Sequence, residues 1–155
     1  MVSLDDKDRK ILDLLQTDAL TPVAELASQV GLSTTPCWRR IQKLEEEGFI
    51  RKRVALLDRT KLNVGVTVFV AVKATRHSAN WLDEFRAILD SVPEVVEAYR
   101  LSGDIDYLLK IVVPNIAAYD AVYKRLIELV EFADVSSSFA MEDMKFTTAL
   151  PLKYS

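Results

Sequence analysis

The sequence predicts an α+β protein in which an N-terminal winged helix-turn-helix precedes a ferredoxin-like βαββαβ unit. Residues 21–43 read as a helix, a tight glycine turn and a second helix whose outer side is polar and basic. After residue 60 the apolar period changes from that of helices to the two-residue alternation of a strand. We therefore expect two domains, at residues 1–60 and 61–155.

The composition suits a globular protein. Half of the 155 residues are apolar and 28% are charged, which argues against disorder. No apolar run approaches the ~20 residues that cross a bilayer, and the acidic N-terminus lacks a signal peptide's features, so we expect a cytoplasmic protein. With Cys37 and His77 as the sole cysteine and histidine, we expect no disulfide framework, no metal or other cofactor, and no histidine-based catalysis.

The net charge of −3 hides a local positive field. Residues 1–60 hold ten basic and ten acidic side chains, so the excess of acid lies in residues 61–155. Within the first part, residues 39–53 carry six basic side chains against three acidic ones. The positive charge is therefore concentrated on one helix and the segment after it.

Three helices are expected in the first domain. A first helix covers about residues 5–17, and Thr21 can cap a second one, which Gly31 ends. Ser33 can cap the third helix, and Gly48 ends it. Residues 49–57 then read as a short two-strand wing and a link.

The third helix has two different sides. Cys37, Ile41 and Leu44 share one narrow face, because successive residues are rotated by about 100° around a helix. The opposite side carries Thr35, Arg39, Gln42 and Lys43. One face packs, and the other is free to read DNA.

These residues supply the candidate DNA contacts, because Arg and Gln can pair with base edges while Lys, Ser and Thr more often hold phosphates. The full candidate set is Ser33, Thr34, Thr35, Trp38, Arg39, Arg40, Gln42, Lys43, Arg51, Lys52 and Arg53. Alternatively, the third helix is an amphipathic helix whose polar side is solvated and binds no DNA. The alternative for the side chains of Arg51, Lys52 and Arg53 is that they are solvated charges. Trp38 either packs against the first helix or lies along the sugar-phosphate backbone.

The second domain alternates strands and helices in the order βαββαβ. The predicted elements are strand 66–72, helix 79–91, strand 95–101, strand 107–113, helix 115–130 and strand 134–148. This order predicts a ferredoxin-like sheet with both helices on one face. We expect the other face to expose apolar side chains such as the Val66–Val72 row, and a second chain to cover it.

Several motifs, in order, resemble the Lrp/AsnC (leucine-responsive/asparagine-response) family of transcription regulators. They are Leu4 to Leu12, Gly31 to Cys37, Arg40 to Ile50 and the turn Gly103-Asp104-Ile105-Asp106-Tyr107. Residues 34–38, 54–58, 137–142 and 147–151 further resemble the family's DecR-like, cysteine-responsive branch. The ferredoxin-like half then corresponds to the family's effector domain, of the RAM or ACT-like type.

The resemblance implies double-stranded DNA and an amino-acid effector, here cysteine or a close analogue, as partners. It implies a homodimer that assembles to a tetramer or octamer, binds amino acids between subunits and controls genes of amino-acid metabolism. The effector residues it implies are Gly103, Asp104, Asp106 and Tyr107, with Ser136, Ser137, Ser138 and Thr148 near the same pocket.

Other interpretations remain open for the loop and for the chain. The loop at 103–107 also fits an ordinary polar hairpin, whereas a metal site there lacks a third acid or a histidine. Dimers of ferredoxin-like domains also include enzymes, but no nucleophile, base and orienting partner are evident here. A winged helix can also bind proteins instead of DNA.

Overall fold

The structure, a computed structural model, describes residues 4–75 and 78–155. His77 lies outside the described residues. The chain forms two compact units: one holds the chain up to Leu56 together with Lys145–Ser155, and the other holds Leu57–Met144. The first unit is thus built from two separate stretches of sequence, whereas the sequence predicted a single division after residue 60.

The element order follows the prediction closely. The first unit contains α1 (Asp6–Thr17), α2 (Val23–Val30), α3 (Thr34–Glu46) and a short 3-10 turn at Leu152–Tyr154. The second contains β1 (Val66–Ala74), α4 (Ala79–Asp90), β2 (Val95–Arg100), β3 (Tyr107–Val113), α5 (Ile116–Leu129) and β4 (Phe132–Phe139). No helix among the described residues is both long enough and apolar enough to span a membrane.

A small core joins α1, α2 and α3. Ile11, Leu26 and Cys37 are at most 1% exposed, and Ile41 and Leu44 complete the cluster. These residues recur at helical spacing, so one apolar stripe of each helix meets the others. The predicted packing side of α3 is confirmed.

The helix starts differ in part from the prediction. Asp5 caps α1, and its side chain accepts the backbone N–H of Asp8. The predicted Thr21 cap is wrong: Pro22 occupies the N-cap of α2, and the Thr21 hydroxyl donates backward to the carbonyl of Asp18 at 2.9 Å. Ser33 holds the N-cap position of α3, where its side chain makes no capping bond.

The second unit is a four-stranded antiparallel sheet in the order β2-β3-β1-β4. With α4 and α5 between the strands, this is the ferredoxin-like arrangement that the sequence predicted. In the central pair, Val70 lies opposite Leu109, and on the other side Val70 lies opposite Ser137.

Both helices pack on the same face of this sheet. Val68, Val70 and Val72 are at most 2% exposed and share a core with Phe85 of α4 and Leu126 of α5. The prediction that the Val66–Val72 row faces outward was therefore wrong, because the most uniformly apolar set of β1 packs under the helices. The uncovered side, called the open face below, carries the alternate residues: Thr67, Phe69, Ala71, Lys73, Glu97, Tyr99, Leu108, Lys110, Val112, Ser136 and Ser138.

The predicted wing is absent among the described residues, and the last strand is shorter than predicted. Residues 49–57 form no strand pair, because no turn-forming residue lies between two runs there, so the wing is an exposed irregular segment. The last strand ends at Phe139 rather than at residue 148. Since β1 begins at Val66 and already pairs Val68 with Phe139, β4 has no partner beyond Ala140, whose N–H donates to the carbonyl of Thr67.

Candidate DNA interface and effector site

A glycine builds the turn between α2 and α3. Gly31 adopts φ 67° and ψ 46°, a left-handed conformation that strains any residue with a side chain. The next N–H, that of Leu32, donates to the carbonyl of Ala27 at 2.9 Å and closes the end of α2. Because Ser33 already occupies the N-cap position of α3, the two helices are joined within three residues, as a helix-turn-helix requires.

The outer side of α3 is accessible along its length. Most of the predicted DNA contacts on this helix are exposed: Ser33, Thr34, Thr35, Trp38, Arg39 and Lys43. Trp38 is 50% exposed, so half of its indole remains available to a partner. Gln42 is partly buried and donates to Glu45 at 3.3 Å.

Arg39 and Lys43 are the charged groups of α3 most available to phosphates. Within residues 4–75 and 78–155, no carboxylate pairs with Arg39. The ammonium of Lys43 lies 3.7 Å from the carboxylate of Glu47, one turn further on. An exposed pair of this kind contributes about 0.3–0.5 kcal/mol, so a phosphate can replace it at little cost.

Arg40 has a different environment. Its Nη1 lies 2.7 Å from Asp5 Oδ2 and 2.7 Å from Asp8 Oδ1. The pKa of Asp5 is lowered, first by the hydrogen bond from the backbone N–H of Asp8 and then by that from Arg40. The pKa of Arg40 is raised by its hydrogen bonds to Asp8 and then to Asp5. The predicted role of Arg40 as a DNA contact therefore competes with two carboxylates.

These side chains line one cleft of about 390 Å³. Its walls are Asp5 and Asp8 from the start of α1 and Arg39, Arg40 and Lys43 from α3. The cleft is acidic on one side and basic on the other, so an anionic ligand meets Arg39 and Lys43 only if it approaches from the α3 side.

The basic residues of the segment after α3 also differ in whether a carboxylate holds them. Arg51 and Lys52 are exposed. Arg53 donates to Glu45 at 2.9 Å and to the carbonyl of Ala19 at 3.3 Å, which ties the segment back to its own unit. Arg51 and Lys52 are therefore better placed than Arg53 to reach phosphates.

The predicted effector loop contains two surface residues and two structural ones. Gly103 adopts a positive φ of 136°, and Asp104 is exposed beside it. The carboxylate of Asp106 accepts the N–H of Ala74 at 2.9 Å and closes the end of β1. Tyr107 is 5% exposed and packs its ring 5.1 Å from that of Phe85, so it belongs to the core.

The other predicted effector residues are not brought together. Ser136 and Ser138 lie on the open face, whereas Ser137 faces the helices and hydrogen-bonds to the hydroxyl of Tyr119. Thr148 is exposed and belongs to the unit that contains α1 to α3. Three consecutive strand residues cannot line one pocket, because a strand alternates its sides.

The open face carries a polar group that the sequence reasoning missed. The ammonium of Lys110 lies 2.7 Å from the carboxylate of Glu97, to which the hydroxyl of Tyr99 also donates at 2.6 Å. The hydrogen bond from Lys110, followed by that from Tyr99, lowers the pKa of Glu97. The available signal was Lys110 itself, a lysine in the middle of an otherwise apolar strand.

A second missed feature is a cavity of about 210 Å³ beside the aromatic side chains of α4. Trp81 and Phe85 line it together with Glu84 and the end of α5. In the part of the chain that the structure describes, no cluster of three or more His, Cys, Asp or Glu side chains could hold a metal ion.

Comparison with known proteins assigns both units. The family profile described as AsnC-type helix-turn-helix domain matches residues 4–45, and that described as Lrp/AsnC ligand binding domain matches residues 67–150. The chain belongs to the Lrp/AsnC family. It is a DNA-binding transcriptional regulator, and residues 67–150 are its ligand-binding domain.

Curated relatives match over nearly the whole chain. The glutamate uptake regulatory protein of Zymomonas mobilis is 54% identical over 96% of this chain and 91% of the relative. The DNA-binding transcriptional activator DecR of Escherichia coli is 44% identical over 97% of this chain and 99% of the relative. The chain is therefore close to the DecR-like branch of the Lrp/AsnC family.

Solved structures agree with the fold. An AsnC family regulator from Agrobacterium tumefaciens is 62% identical, with a TM-score of 0.95 over 97% of this chain and 99% of the other. The regulator NMB0573 from Neisseria meningitidis, solved as a complex with L-Met, is 35% identical, with a TM-score of 0.92 over 98% and 99% of the two chains.

Proposed function

We propose that this Lrp/AsnC regulator reads DNA through the exposed side of α3, with Arg39 and Lys43 as its central contacts. The observation that carries this proposal is the environment of Arg39, an exposed guanidinium with no carboxylate partner among the described residues. Arg39 is flanked on the same helix by Ser33, Thr34, Thr35, Trp38 and Gln42. Arg51 and Lys52 add phosphate contacts next to the duplex.

The ligand-binding domain is proposed to take a small amino acid. Asp104 can hold an ammonium and the backbone around Gly103 a carboxylate, and both are at the surface. The likeness to the DecR-like branch makes cysteine the first candidate. Relatives whose names mention glutamate uptake and L-Met make these two the next candidates.

We further propose that a second copy covers the open face and that such dimers assemble to a tetramer or octamer. The open face exposes 38% of Phe69 and 51% of Tyr99 around the Glu97–Lys110 pair, which a monomer leaves in water. In this proposal the effector lies between subunits, the genes controlled are those of amino-acid metabolism, and the protein works in the cytoplasm. We assign it no catalytic role, in contrast to ferredoxin-like enzymes.

The test of DNA reading uses the variant Arg39→Ala. Affinity for a duplex selected from a random-sequence pool is measured by fluorescence anisotropy over a range of salt concentrations. Losing one phosphate contact lowers the slope of log affinity against log salt by about 0.9, whereas losing a contact to a guanine edge costs about 1–3 kcal/mol of binding free energy.

The matched control is Arg86→Ala, which removes an exposed arginine from α4. We expect this control to keep the wild-type affinity and slope. If Arg39→Ala also keeps both, Arg39 does not contact DNA and the proposed interface is wrong.

A further inference from the structure

Asp5, Asp8 and Arg40 form a closed group of hydrogen bonds, called the α1–α3 clasp here. Asp5 Oδ1 accepts the N–H of Asp8 at 2.8 Å, and Asp8 Oδ2 accepts the N–H of Asp5 at 3.2 Å. The two remaining carboxylate oxygens both accept from Arg40 Nη1, each at 2.7 Å. Each carboxylate therefore caps α1 with one oxygen and holds α3 with the other.

The clasp is partly shielded from water. The side chain of Asp8 is 18% exposed and that of Arg40 33%, whereas Asp5 is half exposed. Charge-assisted hydrogen bonds are shorter and stronger than neutral ones, and partial burial reduces their screening by salt. The clasp is thus stronger than the exposed Lys43–Glu47 pair on the same helix, where the two charges are 3.7 Å apart.

The first turn of α1 also holds the helix-turn-helix at a second point. The ammonium of Lys7 donates to the carbonyl of Gly31 at 3.2 Å. Gly31 is the left-handed residue of the turn, and Arg40 lies in the middle of α3. Three hydrogen bonds that involve residues 5–8 therefore fix both the turn and the reading helix with respect to α1.

We propose that Arg40 is a positioning residue, which holds α3 at its angle to α1 through Asp5 and Asp8 and does not itself bind DNA. Only Nη1 of Arg40 bonds to the two carboxylates, so a phosphate at Nη2 or Nε would lie beside two negative charges. If the guanidinium moved away to meet a phosphate, both carboxylates would stand without it beside the polyanion. With the clasp intact, α3 presents Arg39 and Lys43 at a fixed angle to α1. The proposal rests on the proposed DNA-reading role of α3.

The two possible roles of Arg40 predict opposite effects for Asp8→Asn. The amide keeps an oxygen for the capping bond but removes one of the charges that hold Arg40. If Arg40 positions α3, loosening the clasp weakens binding to the selected duplex by about three- to tenfold. If Arg40 is a DNA contact, Asp8→Asn frees it and tightens binding.

The experiment measures anisotropy with the selected duplex and a scrambled duplex, for Asp8→Asn, Arg40→Met and the double variant. Asp6→Asn is the matched control, because it removes an exposed carboxylate from the same turn of α1. Arg39→Met is the positive control for a lost contact. Trp38 fluorescence during heating, recorded for each variant in a Trp81→Phe background, identifies a temperature at which the first unit of every variant is folded.

We expect Asp8→Asn and Arg40→Met each to reduce discrimination between the two duplexes. The double variant should lose no more discrimination than the more affected single variant. All three variants should keep the wild-type salt slope. Tighter or unchanged binding by Asp8→Asn, or a slope about one unit lower for Arg40→Met, would overturn the proposal. Should Arg40→Met fail to fold, the direction of the Asp8→Asn effect still decides. If Arg39→Met keeps the wild-type slope and affinity, the proposed DNA interface itself fails instead.

Discussion

Arg39 and Arg40 are neighbours on α3 with different environments. The sequence placed Arg39 and Arg40 together as candidate DNA contacts. In the structure Arg39 is exposed, whereas Arg40 is held by Asp5 and Asp8. The helical period gave the direction of each side chain, but the carboxylates that hold Arg40 lie more than thirty residues earlier, and no local pattern reports such a pairing.

Cys37 is a residue whose burial the sequence predicted correctly, and it gives a chemical prediction. It is 0% exposed, and burial raises the pKa of its thiol. The reactive thiolate is therefore scarce near neutral pH as well as inaccessible. We expect N-ethylmaleimide to label Cys37 only at the rate at which the first unit opens, and to label it at once in denaturant.

The control for this reaction is Trp38→Cys in a Cys37→Ala background, which places a thiol on the exposed side of the same helix. A native Cys37 that reacts within about tenfold of this control would contradict its inert, structural role.

At the scale of elements, the sequence predicted the bounds of helices and strands that depend on local periodicity. It did not predict bounds that depend on pairing with a distant strand. The bounds of β3 were predicted exactly, because an apolar run between turn signals defines it. The end of β4 was placed nine residues too late, since only the register with β1 shows that no strand lies opposite it. The wing failed for the same reason, as its two runs find no pairing.

The C-terminal segment is an element whose place the sequence did not reveal. The side-chain amide of Gln16 on α1 donates to the carbonyl of Leu150 at 3.0 Å and accepts its N–H at 2.8 Å. A pair of such bonds mimics strand pairing and satisfies the backbone of an otherwise irregular segment.

Gln16→Ala should destabilise the first unit by about 1 kcal/mol, because two exposed hydrogen bonds to Leu150 are lost, together with one to Asp13 within α1. Urea unfolding of the full chain measures this, with Trp38 fluorescence recorded in a Trp81→Phe background so that only the first unit is observed. Gln29→Ala is the matched control, since among the described residues the side chain of Gln29 bonds only to Glu25 of its own helix, at 3.4 Å. Equal midpoints for the two variants would show that the Leu150 contact contributes nothing.

At the scale of the whole molecule, the proposed regulation depends on assembly. A ligand shifts an equilibrium only by binding one state better than another, so an effector between subunits must change the population of an oligomer or of its conformations. We expect sedimentation velocity with the standard amino acids to show a change of assembly for cysteine, or otherwise for L-Met or glutamate, and DNA affinity to change with the same ligand. This mechanism would be rejected if the protein sedimented as a monomer. It would also be rejected if no amino acid changed the sedimentation coefficient or the DNA affinity.

The chain passes between its two units twice, near residue 56 and near residue 145. Residues 145–155 are therefore translated after the residues of the ligand-binding sheet. In the folded chain they nevertheless belong to the unit that contains the helix-turn-helix. Substitutions confined to residues 145–155 would therefore leave the ligand-binding sheet intact while loosening the unit that contains the helix-turn-helix.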